Sequence, residues 1–192
     1  MSIEESSPAA TEANGDTTGW QAAPINELIA HICHRHHVYL KSELPKLAKM
    51  AGLAAPGDPF LAALHSVVLE LKGELESHMW KEEVVLFPLI LNLVEAERNG
   101  TPPPPAHCGS VKNPIRVMEM EHAGAKNALD EIARLASCHS ADAQSQTALS
   151  DLLGGLRDLD ADLRRHIHLE DDILFPRAAR LEAGISAQPV VS

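Results

Sequence analysis

His78-x-x-x-Glu82, followed by Leu86, Phe87 and Pro88, recurs later in the chain as His166-x-x-x-Glu170, followed by Leu174, Phe175 and Pro176. All five positions keep one offset (166 − 78 = 88). A His and a Glu four residues apart stand one turn apart on one face of a helix. The duplication therefore favours a fold in which two such helices face each other. Two imidazoles and two carboxylates around one point form a metal-binding set, and paired carboxylates suggest two ions.

The surrounding sequence supplies helices. One apolar stripe runs Ile29, Cys33, His37, Leu40, Leu44, Leu47, and a second runs Leu61, Leu64, Val68, Leu71, Leu75, His78, Glu82, Val85, Leu89. After the break Thr101–Ala106 (TPPPPA) come Ile115, Met118, His122, Ala125, Leu129, Ile132, then Leu149, Leu152, Leu156, Leu159, Leu163, His166, Glu170, Ile173. Alternating steps of three and four mark the inward face of bundle helices. The expected fold is all-α, an antiparallel four-helix bundle built from two helix hairpins, with an approximate internal two-fold repeat. Residues 1–20 are expected to be a disordered tail, 21–182 the domain, and 183–192 a flexible end. Ala54–Pro59 and Ser137–Gln146 are expected loops. Gly154 and Gly155 interrupt the fourth stripe and suggest a bend or a close helix contact.

Six polar residues occupy seam positions: His37, His78, Glu82, His122, His166 and Glu170. A buried carboxylate without a partner costs several kcal/mol or takes up a proton. One such histidine is ordinarily a satisfied core residue; six at matched heights call for a common partner. Two bridging carboxylates with two histidines at each end give two metals four protein donors each. A solvent oxo or hydroxo bridge would make each ion five-coordinate, with room for a small ligand. Nitrogen and oxygen donors without thiolate suit iron or manganese, and the affinity order alone leaves zinc and copper open. Ferritin-like di-iron bundles carry two Glu-x-x-His motifs; Glu119-x-x-His122 is the only one here.

Composition narrows the function. A net charge of −11 opposes non-specific nucleic-acid binding and docking on anionic lipid. No apolar stretch approaches the ~20 residues that span a bilayer, and the acidic start lacks the features of a signal peptide. Three cysteines, Cys33, Cys108 and Cys138, form no CxxC pair. A cytoplasmic location is the simplest expectation.

The stretches Leu28–Leu47, Glu74–Ile90, Ile115–His122 and His166–Ala178 together resemble the hemerythrin-like family, most closely the di-iron domain of its iron-centre repair proteins. The resemblance covers about residues 25–180 and implies a pair of iron ions held by His37, His78, Glu82, His122, His166 and Glu170. It implies repair of iron–sulfur clusters damaged by oxidants or nitric oxide, with an iron–sulfur protein as acceptor. A di-iron peroxidase, catalase or NO-reducing enzyme is the alternative, as is a sensor or reservoir for O2 or NO. Three departures matter. Oxygen carriers have a further histidine where this chain has Lys126. Repair-type proteins usually add a small N-terminal domain with cysteines, where only a short tail is expected here. His36 stands where an aromatic residue is typical.

Glu74 and Glu121 resemble acids that line the family's site and are candidates to orient imidazoles or relay protons. Cys33 reads as a core thiol. His36, close to the first stripe (Ile29, Ile32, His36, Leu40), reads as a flanking residue, with an alternative ligand or a hydrogen-bonding support of the ligands as the other reading. His31, His34 and His168 read as surface residues. Pro88 and Pro176 are expected to kink or end their helices and to turn Phe87 and Phe175 over the site as an apolar cap.

Overall fold

The computed structural model describes residues 18–137 and 146–187. Four helical rods form a bundle. The first joins α1 (Ile25–His31) to α2 (Val38–Ala54) through a wide π turn, Ile32–His37. The second joins α3 (Pro59–Lys81) to α4 (Phe87–Asn99) through a π turn, Glu82–Leu86. The third is α5 (Lys112–Ser137), and the fourth joins α6 (Gln146–His168) to α7 (Phe175–Ser186) through a π turn, Leu169–Leu174. Among the described residues there is no strand. Packing pairs α2 with α3, α3 with α5, α2 with α6 and α4 with α7.

Local chemistry sets the rod ends. The Asp58 side chain accepts from the Phe60 and Leu61 amides at 2.8 and 3.1 Å, and Pro59 opens α3, where its missing N–H costs nothing. Gly100 closes α4 with φ +63°, a left-handed conformation that glycine takes without strain.

The three π turns change the register that a uniform helical period predicts. Each inserts extra backbone into the rod, so the inward face moves by about one residue. Val85 is consequently exposed and Leu89 only half-buried, whereas Leu86, Phe87 and Ile90 face the core. In the first rod Ile32 and His36 are buried and Cys33 is half-buried, not a core thiol as expected. Pro88 and Pro176 do not end their rods. Each lies in the first turn of the α segment after a π turn, and the rods continue to Asn99 and Ser186.

Two apolar clusters fill the bundle. One joins α2, α3, α5 and α6 around Leu44, Leu71, Leu129 and Leu159. The other joins α1, α4 and α7 around Leu28, Ile90 and Phe175. The six seam residues lie between them, where the π turns fall. Gly155 allows α6 to approach α2: a Cβ there would sit 2.6 Å from a methyl of Leu47. Gly154 has open space and gains no account from packing.

Residues 18–20, which composition assigns to the tail, are structured. Thr18–Gln21 form a single 3-10 turn, with Trp20 buried against His31 at a ring distance of 4.6 Å. Arg177 ties this entry down, donating to the Trp20 and Ala23 carbonyls at 2.8 and 2.6 Å. Residues 183–186, expected to belong to a flexible end, instead form the last turn of α7. The rest of the expected tails, and Cys138, lie outside the described residues.

Candidate metal centre

Each rod brings one histidine to a common level, and the second and fourth add a glutamate. His37, His78, Glu82, His122, His166 and Glu170 are at most 2% exposed. Their donors fall into two groups, each within 4.8 Å: His37, Glu82, His166 and Glu170 at one end, and His78, Glu82, His122 and Glu170 at the other. Both glutamates belong to both groups. Glu82 Oε2 lies 3.3 Å from His37 Nε2 and Oε1 lies 3.3 Å from His78 Nε2. Glu170 Oε1 lies 3.1 Å from His166 Nε2, and Oε2 lies 3.1 Å from His122 Nε2. Each carboxylate therefore offers one oxygen to each end. At the second end His78 Nε2 and His122 Nε2 converge to 3.0 Å.

The donor set fits a pair of cations. All four oxygens of Glu82 and Glu170 are fully buried without a hydrogen-bond donor, as is Nε2 of both His37 and His166. Leaving such groups unpaired is costly. Metal ions between them would satisfy every one of these six atoms; the outer nitrogen of His166, Nδ1, is also buried without a partner and lies outside that set.

Outside this shell, three imidazoles are held by carboxylates. His37 Nδ1 donates to Glu83 at 2.7 Å, His78 Nδ1 to Glu121 at 2.9 Å, and His122 Nδ1 to Asp171 at 2.7 Å. A carboxylate can only accept, so the proton sits on Nδ1 and leaves Nε2 free as an inward ligand. A lysine on the histidine's own rod steadies each acid: Lys41 on Glu83, Lys81 on Glu121, and Lys126 on Asp171. Lys126 thus supports an outer carboxylate and is not among the inward donors. Sequence reasoning misses Asp171 and Glu83. Their position directly after the ligand-spaced glutamates is the one signal that points to them.

His166 differs. Its Nδ1 has no hydrogen-bond partner, and the ring packs against His36. His36 is fully buried, not a flanking surface residue; its Nδ1 donates to buried Asp162 at 3.0 Å, and Asp162 also meets Arg35 at 3.2 Å. His31 is half-buried beside it, edge-on at 5.5 Å. Phe87 stacks on His37 and Phe175 on His122, with ring centroids 5.8 and 5.9 Å apart, so the expected cap is present.

The electrostatics reflect this asymmetry. Burial disfavours the charged form of His37, but the neighbouring Cys33, the Glu82 carboxylate 3.3 Å away and the charge of Glu170 outweigh it, lifting its pKa to about 10. Burial likewise opposes His122, and Asp171 and Glu170 lift it to about 10. His78 is raised against burial by Glu82 and Glu170. His166 is lowered because burial prevails over Glu170. Glu170 is held well below the usual carboxylate range: burial works against its charge, but His166 and His122 overcome it.

A cavity of about 520 Å³ opens between α3 and α5 and reaches His78 and His122. Glu74, Lys81, Glu121 and Gly124 are among its lining, whereas His37 and His166 are not. Glu74 faces this space, and Glu121 is the acceptor for His78, so the two accessory acids stand at one end of the centre. Among the described residues no helix is long and apolar enough to cross a membrane.

A four-helix bundle with paired His and Glu donors at its middle defines a class of metal-binding helical proteins. Residues 28–178 match the family model described as the hemerythrin HHE cation binding domain. The chain belongs to the hemerythrin HHE cation-binding family, and so carries a metal-binding site. It is similar to the iron-sulfur cluster repair protein YtfE of Dickeya chrysanthemi, 34% identical over 169 residues, 85% of this chain and 70% of that protein. The protein of the same description from Cronobacter sakazakii is 33% identical over 189 residues, covering 93% of this chain and 76% of that protein.

Proposed function

We propose that His37, His78, Glu82, His122, His166 and Glu170 hold two iron ions, and that the protein repairs iron–sulfur clusters damaged by oxidative or nitrosative stress by supplying iron to them. The observation that carries the metal assignment is the pair of buried glutamates, whose four donorless oxygens each face an imidazole of one end or the other. The similarity to proteins described as iron–sulfur cluster repair proteins supports the biological role. Bound iron supplies redox chemistry and, in the ferrous state, a transferable ion. The chain's own residues do the rest. Glu83, Glu121 and Asp171 fix the imidazole tautomers, Phe87 and Phe175 exclude water from one side, and the shared glutamates couple the two ends.

The test is metal analysis of protein from iron-replete cells, followed by transfer from the ferrous protein to an iron–sulfur protein stripped of cluster iron. About two irons per chain and transfer faster than from free ferrous iron are expected. Stoichiometric zinc without iron would refute the metal, and transfer no faster than from free iron would refute the delivery role.

One observation favours a second reading. The cavity reaching His78 and His122 can admit a molecule the size of O2, NO or peroxide. Turnover of peroxide or NO without iron loss would make the protein a di-iron oxidoreductase. Reversible uptake without turnover would make it a sensor or reservoir.

A further inference from the structure

The outward side of His37 carries a second donor set that the inner six do not use. Cys33 stands one turn before His37, at the start of the π turn Ile32–His37. One donor atom from each of Cys33, His37 and Glu83 lies within 4.8 Å of the others. The second hairpin repeats the rest of this arrangement as His122, Asp171 and Lys126. Four residues before His122, however, it has buried Met118 in place of a thiol. The cysteine is therefore peculiar to one end of the centre.

We propose that Cys33, His37 and Glu83 form an outer staging site for one divalent transition-metal ion, which enters or leaves the inner centre by way of His37. Thiolate, imidazole and carboxylate together suit ferrous iron, zinc or cobalt(II). Cys33 is half-buried and the Glu83 side chain is 33% exposed, so both can be reached from solvent at the end of the centre that the cavity beside His78 and His122 does not line. A tetrahedral ion with bonds near 2.0–2.3 Å sets its donors about 3.5 Å apart. The His37–Glu83 contact of 2.7 Å would have to widen by about 1 Å to admit it, a movement within reach of a partly exposed Glu side chain.

Two features make this a waypoint. Glu83 is now held by the Lys41 ammonium at 2.6 and 2.8 Å, and an arriving cation takes the ammonium's place. Lys41 is 48% exposed, so it can be released to water at little cost. In addition, a neutral imidazole has one free nitrogen. His37 can serve the outer ion through Nδ1 once the proton it directs at Glu83 has shifted to Nε2 and the Cys33 thiol has lost its proton to water. It can serve the inner ion through Nε2 with the proton back on Nδ1, so the two positions exchange and do not fill together. The inference rests on the inner six being a metal site.

Cobalt(II) tests both levels. Metal-free full-length protein is mixed with cobalt(II) and followed by stopped-flow absorption. Thiolate-to-cobalt charge transfer in the near-ultraviolet reports the outer site, and the weaker visible bands with the final stoichiometry report the inner one. In the wild type the thiolate band should rise and then decay as the visible bands grow. Cys33→Ser should abolish the transient and slow inner loading several-fold, with final occupancy unchanged. Glu83→Gln should diminish the transient, and Cys108→Ser should leave it intact. A transient absent from wild type, or surviving in Cys33→Ser, overturns the staging site while inner loading proceeds. Failure of the visible bands to appear at all overturns the inner metal assignment instead.

Discussion

His36 stacks on His166 with ring centroids 5.6 Å apart and planes within 9° of parallel, at the position in the first hairpin that Glu121 occupies in the second. Glu121 directly precedes His122 and accepts from His78 on the facing rod; His36 directly precedes His37 and meets His166 on its facing rod. The internal repeat is thus broken at one point. Three imidazoles have an outer carboxylate, and the fourth has a ring. Asp162 anchors that ring from behind at 3.0 Å.

His36→Ala should therefore remove packing from a fully buried site and leave Asp162 short of a donor. A loss of about 2–4 kcal/mol is expected in urea unfolding of the metal-free protein. His36→Phe keeps a ring over His166 and should retain metal, losing only part of that stability. Faster metal release to a chelator from His36→Ala than from His36→Phe would mark stacking as the feature that positions His166. Equal release from the two would show that it is not.

Much of the centre is legible in the amino-acid sequence. A polar residue in an apolar stripe stands out because burial penalises it, and six at matched heights identify the whole inner donor set. Phe87 and Phe175 are legible for the same reason, being apolar and adjacent to the duplicated motif. The π turns are not, since a helix with one wide turn has no distinct composition. A uniform helical period consequently misplaces Val85, Leu86 and Leu89. His36 and Asp162 are harder to read: His36 lies beside the first stripe and Asp162 one turn before His166, but neither spacing names the other as partner, and each is buried by the other across 126 residues of chain. Trp20 falls in a polar stretch whose composition masks a single buried anchor.

The outer acids should govern how tightly metal is held. Glu121→Ala and Asp171→Ala each free an imidazole to rotate and to choose the other tautomer, and should weaken metal binding by about 10–100-fold. Glu74→Ala should leave metal content unchanged, since Glu74 faces the cavity and no bond from it to an imidazole appears among the described residues. Competition with a chelator of known affinity checks all three. A loss in Glu74→Ala equal to that in Glu121→Ala would contradict this division of roles.

The metal-free protein should respond to pH in a direction fixed by its imidazoles. His37 and His122 have folded pKa values of about 10 against an ordinary value of 6.5, and His78 is also raised. Their stabilisation is fully present below about pH 6.5 and is lost as pH climbs through about 10. Glu170 acts oppositely: its depressed pKa gives stability that disappears as pH falls below its ordinary 4.5. His166, lowered by burial, also resists protonation and works against the fold below 6.5. Urea midpoints of metal-free protein should decline from pH 6.5 towards 10, whereas metal binding should strengthen over the lower part of that range as protons are released. A metal-free midpoint that rises across the alkaline range would contradict the assigned charge pattern.

Access to the His78 and His122 end should depend on two glycines. Gly73 and Gly124 line the cavity, and a Cβ added at either meets nothing within 4 Å. Alanine at these helical positions should stabilise the protein by up to ~1 kcal/mol each. Gly124→Leu goes further by filling part of the roughly 520 Å³ space while replacing no donor. Metal content should be unchanged, because all six inner residues and their outer acids remain. The rate at which azide or nitric oxide perturbs the optical spectrum of the loaded protein should fall, while Gly184→Leu, on α7 and outside the cavity lining, should leave it unaltered. If the Gly124→Leu rate matches wild type, the cavity between α3 and α5 is not the route by which small ligands reach the centre.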